Sequence, residues 1–275
     1  MSLDVRRHAG RISARLGITR RARHNAKRGL DFGMSFEPTP QPGDRDPGVL
    51  EQYFDDHREG PGLWKWRHYF DIYERHFARF VGAEVHVLEI GIFSGGSIDM
   101  WRGYFGEGLR FYGVDLEPAC RAYEAPDAHV FIGDQADPSF WQRTLAQIPH
   151  LDIVIDDGGH RDFQQITTLE AVLPRLAPGG VYLCEDVHSI RHGFHDYMTG
   201  MARNLNAVGS VADDAPYGRM PSGFQRAIAS ITFYPFVIVL ERRQSDLDLL
   251  EAPRHGSQWQ PFYEATHTPP PSIAG

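Results

Sequence analysis

The run Asp156-Asp157-Gly158-Gly159-His160 is followed, 28 residues after Asp157, by Glu185-Asp186-Val187-His188. Each pair of acids closes a short apolar stretch, Leu151–Ile155 in one case and Val181–Cys184 in the other. Four carboxylates gathered at neighbouring strand ends repel one another unless some are protonated or a cation lies among them. Oxygen donors without cysteine suit Mg²⁺, Ca²⁺ or Mn²⁺ better than zinc. His160 and His188 stand beside the acids, and an imidazole with an ordinary pKa of about 6.5 can take a proton from a hydroxyl near neutral pH. The plainer alternative has each acid capping the next helix or facing water.

A second group of residues suits a nucleoside. In Val87-Leu-Glu-Ile-Gly-Ile-Phe-Ser-Gly-Gly-Ser97, glycines follow an apolar run and precede a helical pattern, where a backbone must turn sharply and let a ligand approach. The spacing is E-x-G-x-x-x-G rather than G-x-G-x-x-G, which fits a ligand without a pyrophosphate; a plain strand-to-helix turn has the same look. Asp115 ends the next apolar run, 24 residues after Gly91, where a carboxylate can accept from both hydroxyls of a ribose. Asp134 and Gln135 end the third run and could meet an adenine amino group. A solvated strand end is the bland reading of each alone, but three in register point to one ligand.

These residues need parallel strands to bring them together. Val85–Ile90, Arg110–Val114, His129–Ile132, Leu151–Ile155 and Val181–Cys184 alternate with helical segments at Ser97–Phe105, Pro138–Gln147 and Arg161–Leu176. That order predicts a Rossmann-like, doubly wound α/β fold with a mostly parallel seven-stranded sheet. Ala227–Tyr234 and Phe236–Leu240 are separated by Pro235 alone, so they are expected to form an antiparallel hairpin at the sheet edge. Upstream, Trp66, Phe70, Tyr73, Phe77 and Phe80 recur at helical spacing and predict one amphipathic helix over 64–80. Residues 191–225 are expected to supply a helix and a mobile lid, with Tyr197, His192 and His195 near a bound substrate.

Composition narrows the class. The 275 residues carry 28 Lys+Arg against 36 Asp+Glu, and two cysteines make neither a disulfide framework nor a zinc set. No apolar run approaches the ~20 residues of a membrane span, and the expected home is the cytoplasm. Nine basic residues and one acid lie in positions 1–30, giving a basic head on an acidic body. The body would repel phosphates, so no nucleic-acid partner is expected, and an RNA substrate would have to be bound through the head alone. The head is read as a helical arm that packs on a neighbouring subunit of a homo-oligomer or lies disordered. The expected organisation is a basic arm and Pro-rich linker over 1–50, a domain over 51–245 and a tail over 246–275.

The runs EIGIFSGGSIDMW, GVDLEP, GDQADPSF, VIDDGGH, LAPGGVYLCEDVHS and ASITFYPFVIVLER, in that order, resemble the class I S-adenosylmethionine-dependent methyltransferases. The nearer likeness is to the metal-dependent sugar O-methyltransferases of the macrocin and mycinamicin type, over about residues 64–241. The resemblance implies S-adenosylmethionine and Mg²⁺ as cofactors and a sugar hydroxyl of a glycosylated natural product, or of a polysaccharide or oligosaccharide precursor, as acceptor. It implies Tyr69, Glu89, Gly91, Ser97, Asp115, Asp134, Gln135 and Asp156 as cofactor contacts and Asp157, Glu185 and Asp186 as Mg²⁺ ligands. The base would be His160, or else Asp157. A nicotinamide-dependent oxidoreductase and a non-catalytic binding protein on the same fold are the competing readings.

Overall fold

The computed structural model describes residues 20–39, 45–189, 191–207, 211–212, 215–253 and 255. The expectations for residues 1–19 and 256–275 therefore lie outside the described residues. The chain divides after Asp46 into two units. The described part of the first is helix α1 over residues 20–35, within which Lys27 donates to Asp31 one turn on.

The second unit begins with α2 (Val49–Asp56), a segment without regular structure, and α3 (Tyr69–Phe77), which runs on as a 3₁₀ turn at Ala78–Phe80. Then strand and helix alternate: β1 (Val85–Ile90), α4 (Gly96–Phe105), β2 (Leu109–Asp115), β3 (Ala128–Ile132), α5 (Pro138–Leu145), β4 (Ile153–Asp156), α6 (Asp162–Val172) and β5 (Val181–Cys184). After α7 (Gly193–Leu205) come a small two-stranded ribbon, β6 (Val211–Ala212) with β7 (Ala215–Arg219), and the short α8 (Gly223–Ala227). The hairpin β8 (Ile228–Tyr234) and β9 (Val237–Arg242) ends the sheet.

The main sheet has seven strands in the order β3-β2-β1-β4-β5-β9-β8. β1 to β5 are parallel, and β9 pairs antiparallel with β5 on one side and β8 on the other. The doubly wound sheet with a terminal antiparallel hairpin is thus present. The strands are near-continuous apolar runs because helices cover both faces, and two buried clusters form the two layers. Leu88, Val154 and Tyr182 point to one layer, and Val87, Ile153, Ile155 and Leu183 to the other. Chain order reverses between β1 and β4, so the ends of β1, β2, β4 and β5 open onto one crevice.

One local expectation needs correction. The aromatic helix starts at Tyr69, not at residue 64: Phe70, Tyr73 and Phe77 are buried on it, while Trp66 precedes it and stays half exposed. Lys65 and Trp66 are held by side chains of the crevice, described below, and that long-range pull outweighs helical periodicity. In 191–225, Phe194 and Met198 of α7 are fully buried in the layer that holds Leu169 of α6. This part of the segment is the expected helix, packed against the domain. No described helix is long and apolar enough to cross a membrane.

Candidate active site

A cavity of about 720 Å³ fills the crevice. Tyr69, Glu89, Gly91, Ser97, Asp115, Asp134, Gln135, Asp157, His160, Glu185 and Asp186 all line it. Of the residues expected as cofactor contacts, metal ligands or base, Asp156 alone does not.

On the β1–β3 side, short-range bonds build the surface. Glu89 is fully buried on β1; one carboxylate oxygen accepts from Ser97 Oγ at 2.7 Å, and the other, Oε1, has no hydrogen-bond partner. Burial raises its pKa to about 7. An unpaired acceptor facing a cavity is a place for a ligand's donor. Gly91 has φ +85°, and a Cβ there would stand 2.1 Å from the carbonyl oxygen of Asp157, so no other residue fits between the ends of β1 and β4. Asp115 Oδ2 accepts the backbone N–H groups of Ile92 and Phe93, at 3.1 and 3.0 Å, and Oδ1 accepts Glu117 N–H at 2.9 Å. The carboxylate thereby shapes the glycine loop as well as facing the cavity.

The β3 end departs from expectation. Gln135 is buried, with its amide Nε2 donating to Asp156 and Thr168 and its Oε1 accepting Gly159 N–H at 2.7 Å. Both amide protons are spent inside the protein, so its side chain supports the Gly158-Gly159 turn and is not a free adenine contact. Asp156 is the same kind of correction. It lies under the cavity floor, accepting from Gln135 and from Tyr182 Oη at 3.0 Å, and burial raises its pKa to about 6. Asp156 is the last residue of β4 and its side chain enters the layer of Gln135 and Tyr182, while Asp157, just beyond the strand, faces the crevice. Asp134 remains exposed at the rim, with Oδ1 accepting Ala136 N–H.

The β4–β5 side is assembled over long range. Tyr69 Oη donates to Asp186 Oδ1 at 2.7 Å, and Trp66 Nε1 donates to the same oxygen at 3.1 Å. Asp186 Oδ2 is left facing His160 Nε2 at 3.7 Å, while Asp157 Oδ1 lies 4.0 Å from that nitrogen. One ligand atom from each of Asp157, His160 and Asp186 falls within 4.8 Å of the others. The two carboxylates offer oxygen ligands of the kind Mg²⁺ or Mn²⁺ takes, and the imidazole stands beside them. His160 and Asp186 both have φ +55°, a left-handed conformation that costs energy in a side-chain-bearing residue and aims these two groups at each other.

Glu185 is turned elsewhere. It is buried, accepts Tyr73 Oη at 2.6 Å and is gripped by Lys65 Nζ at 2.9 and 3.0 Å. Burial, with Asp157 adding like charge, pushes its pKa up. Lys65 also donates to Asp157 Oδ2 at 2.6 Å. Burial favours a neutral amine, but Glu185, Asp157 and Glu89 outweigh it and hold Lys65 protonated. Sequence reasoning missed Lys65; its one signal was that it is one of only two lysines in the chain. It also missed the aromatic rim, where Trp66 packs on Phe236 and His188 at ring distances of 5.5 and 6.1 Å. Tyr197 and His195 do not line the cavity: Tyr197 Oη donates to Glu170, and His195 packs on Phe233. His192 meets the carbonyl oxygen of His160 through Nε2 at 3.0 Å.

No protein-family model matches the chain. Over 202 residues, 68% of its length, it is 33% identical to the 8-demethyl-8-alpha-L-rhamnosyl tetracenomycin-C 2'-O-methyltransferase of Streptomyces olivaceus. It is also 33% identical over 198 residues, 65% of its length, to the demethylmacrocin O-methyltransferase of Streptomyces fradiae. The matches take in 53% and 50% of those enzymes, so the chain spans about half the length of the curated relatives it matches. Among solved structures, the MycE methyltransferase of the mycinamycin biosynthetic pathway, in complex with Mg and SAH, superposes with a TM-score of 0.58. It is 25% identical, and the match covers 73% of this chain and 55% of that one. Sheet order, strand-end chemistry and these likenesses together define a class I methyltransferase. Within that class the chain belongs to the family of the macrocin- and mycinamicin-type sugar O-methyltransferases.

Proposed function

We propose that this protein transfers a methyl group from S-adenosylmethionine to a sugar hydroxyl, with Mg²⁺ as a second cofactor. The acceptor class is a glycosylated natural product, or a polysaccharide or oligosaccharide precursor. The observation that carries the reading is one cavity with two unlike walls: a nucleoside-shaped wall around Glu89, Gly91 and Asp115, and a second wall where the carboxylates of Asp157 and Asp186 stand with His160 beside them. Family membership favours this over the nicotinamide alternative, since hydride transfer has no use for the second wall.

The residues divide the work. Glu89 Oε1, buried and without a hydrogen-bond partner, would take the amino group of the donor's methionine end, and Asp115 the ribose. The donor supplies a sulfonium methyl that needs no further activation. Asp157 and Asp186 would hold the cation, which supplies positive charge against the alkoxide that develops on the sugar. Tyr69 and Trp66 fix one oxygen of Asp186, which leaves the other facing the cavity. His160 Nε2, part-exposed at the same rim, would accept the hydroxyl proton as the oxygen attacks in line. Positioning inside a cavity partly closed to water supplies much of the rate enhancement. The body of the chain, 51–245, is read as the methyltransferase domain, acting in the cytoplasm as a homo-oligomer.

The test is mass spectrometry of rhamnosyl and hexosyl acceptors incubated with the protein and S-adenosylmethionine. A gain of one methyl group, abolished by EDTA and restored by Mg²⁺, is expected. Undiminished transfer in EDTA would remove the cation from the reading, and NAD binding without S-adenosylmethionine binding would overturn it.

A further inference from the structure

Lys65 is a charged group of the cavity for which methyl transfer assigns no role. Its side chain is 4% exposed, its ammonium touches Asp157 Oδ2 and both oxygens of Glu185, and Glu89 Oε1 lies 3.9 Å away. A buried ammonium is costly unless paired, and these carboxylates pair it. No arginine and no other lysine lines the cavity, so Lys65 is its only permanently charged cation among the described residues.

Asp157 belongs to two groups at once. Its Oδ2 serves Lys65, while its Oδ1 lies on the side of His160 and Asp186, where the two carboxylates suit a divalent ion. An ammonium at 2.6 Å on one oxygen and a divalent cation on the other would repel each other strongly across a single carboxylate in a poorly screened site. Lys65 can yield without any change of fold. It sits in the segment without regular structure between α2 and α3, at the end of a flexible four-carbon stem. Glu185 would keep its place when the ammonium leaves, because Tyr73 Oη still holds it at 2.6 Å.

We propose that Lys65 is a built-in counter-cation: it holds Asp157 and Glu185 in position before the metal arrives, and a divalent cation must displace it from Asp157. Lys65 is thus a positioning residue that sets the affinity for the metal. The inference rests on the cation site proposed above and adds a step to its loading.

The full chain is titrated with Mn²⁺ alone, without methyl donor, following free Mn²⁺ by electron paramagnetic resonance. Lys65→Met and Lys65→Gln should each bind Mn²⁺ about tenfold or more tightly than the unaltered chain, while melting at a lower temperature without metal. A purely structural lysine would give the opposite sign, weaker binding together with lower stability. Independently, acylation of the unaltered protein followed by mass spectrometry should show Lys65 labelling several-fold faster when Mn²⁺ is present. Lys27, already exposed, should be unchanged and serves as the internal control. Affinities within twofold of the unaltered chain, or weaker, would overturn the proposal, as would Lys65 labelling indifferent to Mn²⁺. If both variants fail to fold, the labelling result decides. No Mn²⁺ binding by the unaltered chain would remove this inference and the proposed cation site together, whereas binding with indifferent labelling removes only the inference.

Discussion

The two walls of the cavity are built in different ways. On the β1–β3 side, polar groups are tied to nearby backbone or to the adjacent strand end: Asp115 to Glu117, Ile92 and Phe93, Asp134 to Ala136, Glu89 to Ser97. The sequence separations are 2 to 23 residues. On the β4–β5 side, the partners come from the segment before β1. Lys65 reaches Asp157 across 92 residues and Glu185 across 120, Tyr69 reaches Asp186 across 117, and Tyr73 reaches Glu185 across 112. The first wall is a property of loop geometry. The second exists only when α3 and the segment before it are docked, so it should respond separately to mutation.

That difference can be pressed at several points. The largest effect is expected from Asp186→Ala, which removes the carboxylate that Tyr69 and Trp66 hold in place: methyl transfer should fall by about a thousandfold or more, while S-adenosylmethionine affinity measured by calorimetry stays within a few-fold. Equal loss of donor affinity would mean that the walls are not separable. Gly91→Ala attacks the junction between them. A Cβ 2.1 Å from the Asp157 carbonyl, at φ +85°, should cost about 2–4 kcal/mol in chemical denaturation and impair both functions together. A variant as stable as the parent would show that the strand ends have room to part.

Asp115→Ala tests the local wall by itself. It strips three backbone N–H groups of their acceptor, so donor affinity should drop about 10- to 100-fold. Mn²⁺ binding should be unchanged, and a matching loss of Mn²⁺ affinity would join the walls after all. The smallest effect concerns the base of the long-range wall, where Glu241 of β9 ties α3 through His76 and Arg79. His76 chiefly, with Arg79, lowers the Glu241 pKa to about 2. A carboxylate depressed on folding stabilises the protein above its ordinary pKa and loses that contribution as pH falls toward the folded value. Stability of the parent should therefore decline by about 1 kcal/mol from this group between roughly pH 5 and pH 2, and Glu241→Gln should flatten that part of the curve. Parallel curves for parent and variant would show that this tie contributes nothing.

The same contrast explains what could be read in advance. Alternating apolar runs and helical patterns placed β1 to β5 and the β8–β9 hairpin, because strand burial and turn chemistry are written in neighbouring residues. Strand-end residues such as Asp115, Asp157 and Asp186 were legible for the same reason, since a parallel sheet sends all such ends to one edge. The internal bonds of Asp156 and Gln135 are not legible in the sequence, because sequence adjacency does not say which layer a side chain enters or what it bonds there. Trp66 was placed on a helix that starts only at Tyr69, since its spacing matched and its partner, Asp186, lies 120 residues away.

By itself, then, the sequence determined the order of strands and helices, the glycine turn after β1 and the set of carboxylates at the crevice. These follow from local periodicity, backbone freedom and the direction of parallel strands. Only the tertiary structure decided how those carboxylates are shared. Lys65 sits among Asp157, Glu185 and Glu89, Tyr69 and Trp66 hold Asp186, and Gln135 and Tyr182 bury Asp156. Charge pairing and burial act between groups that are close in space, and separation along the chain carries no record of that distance.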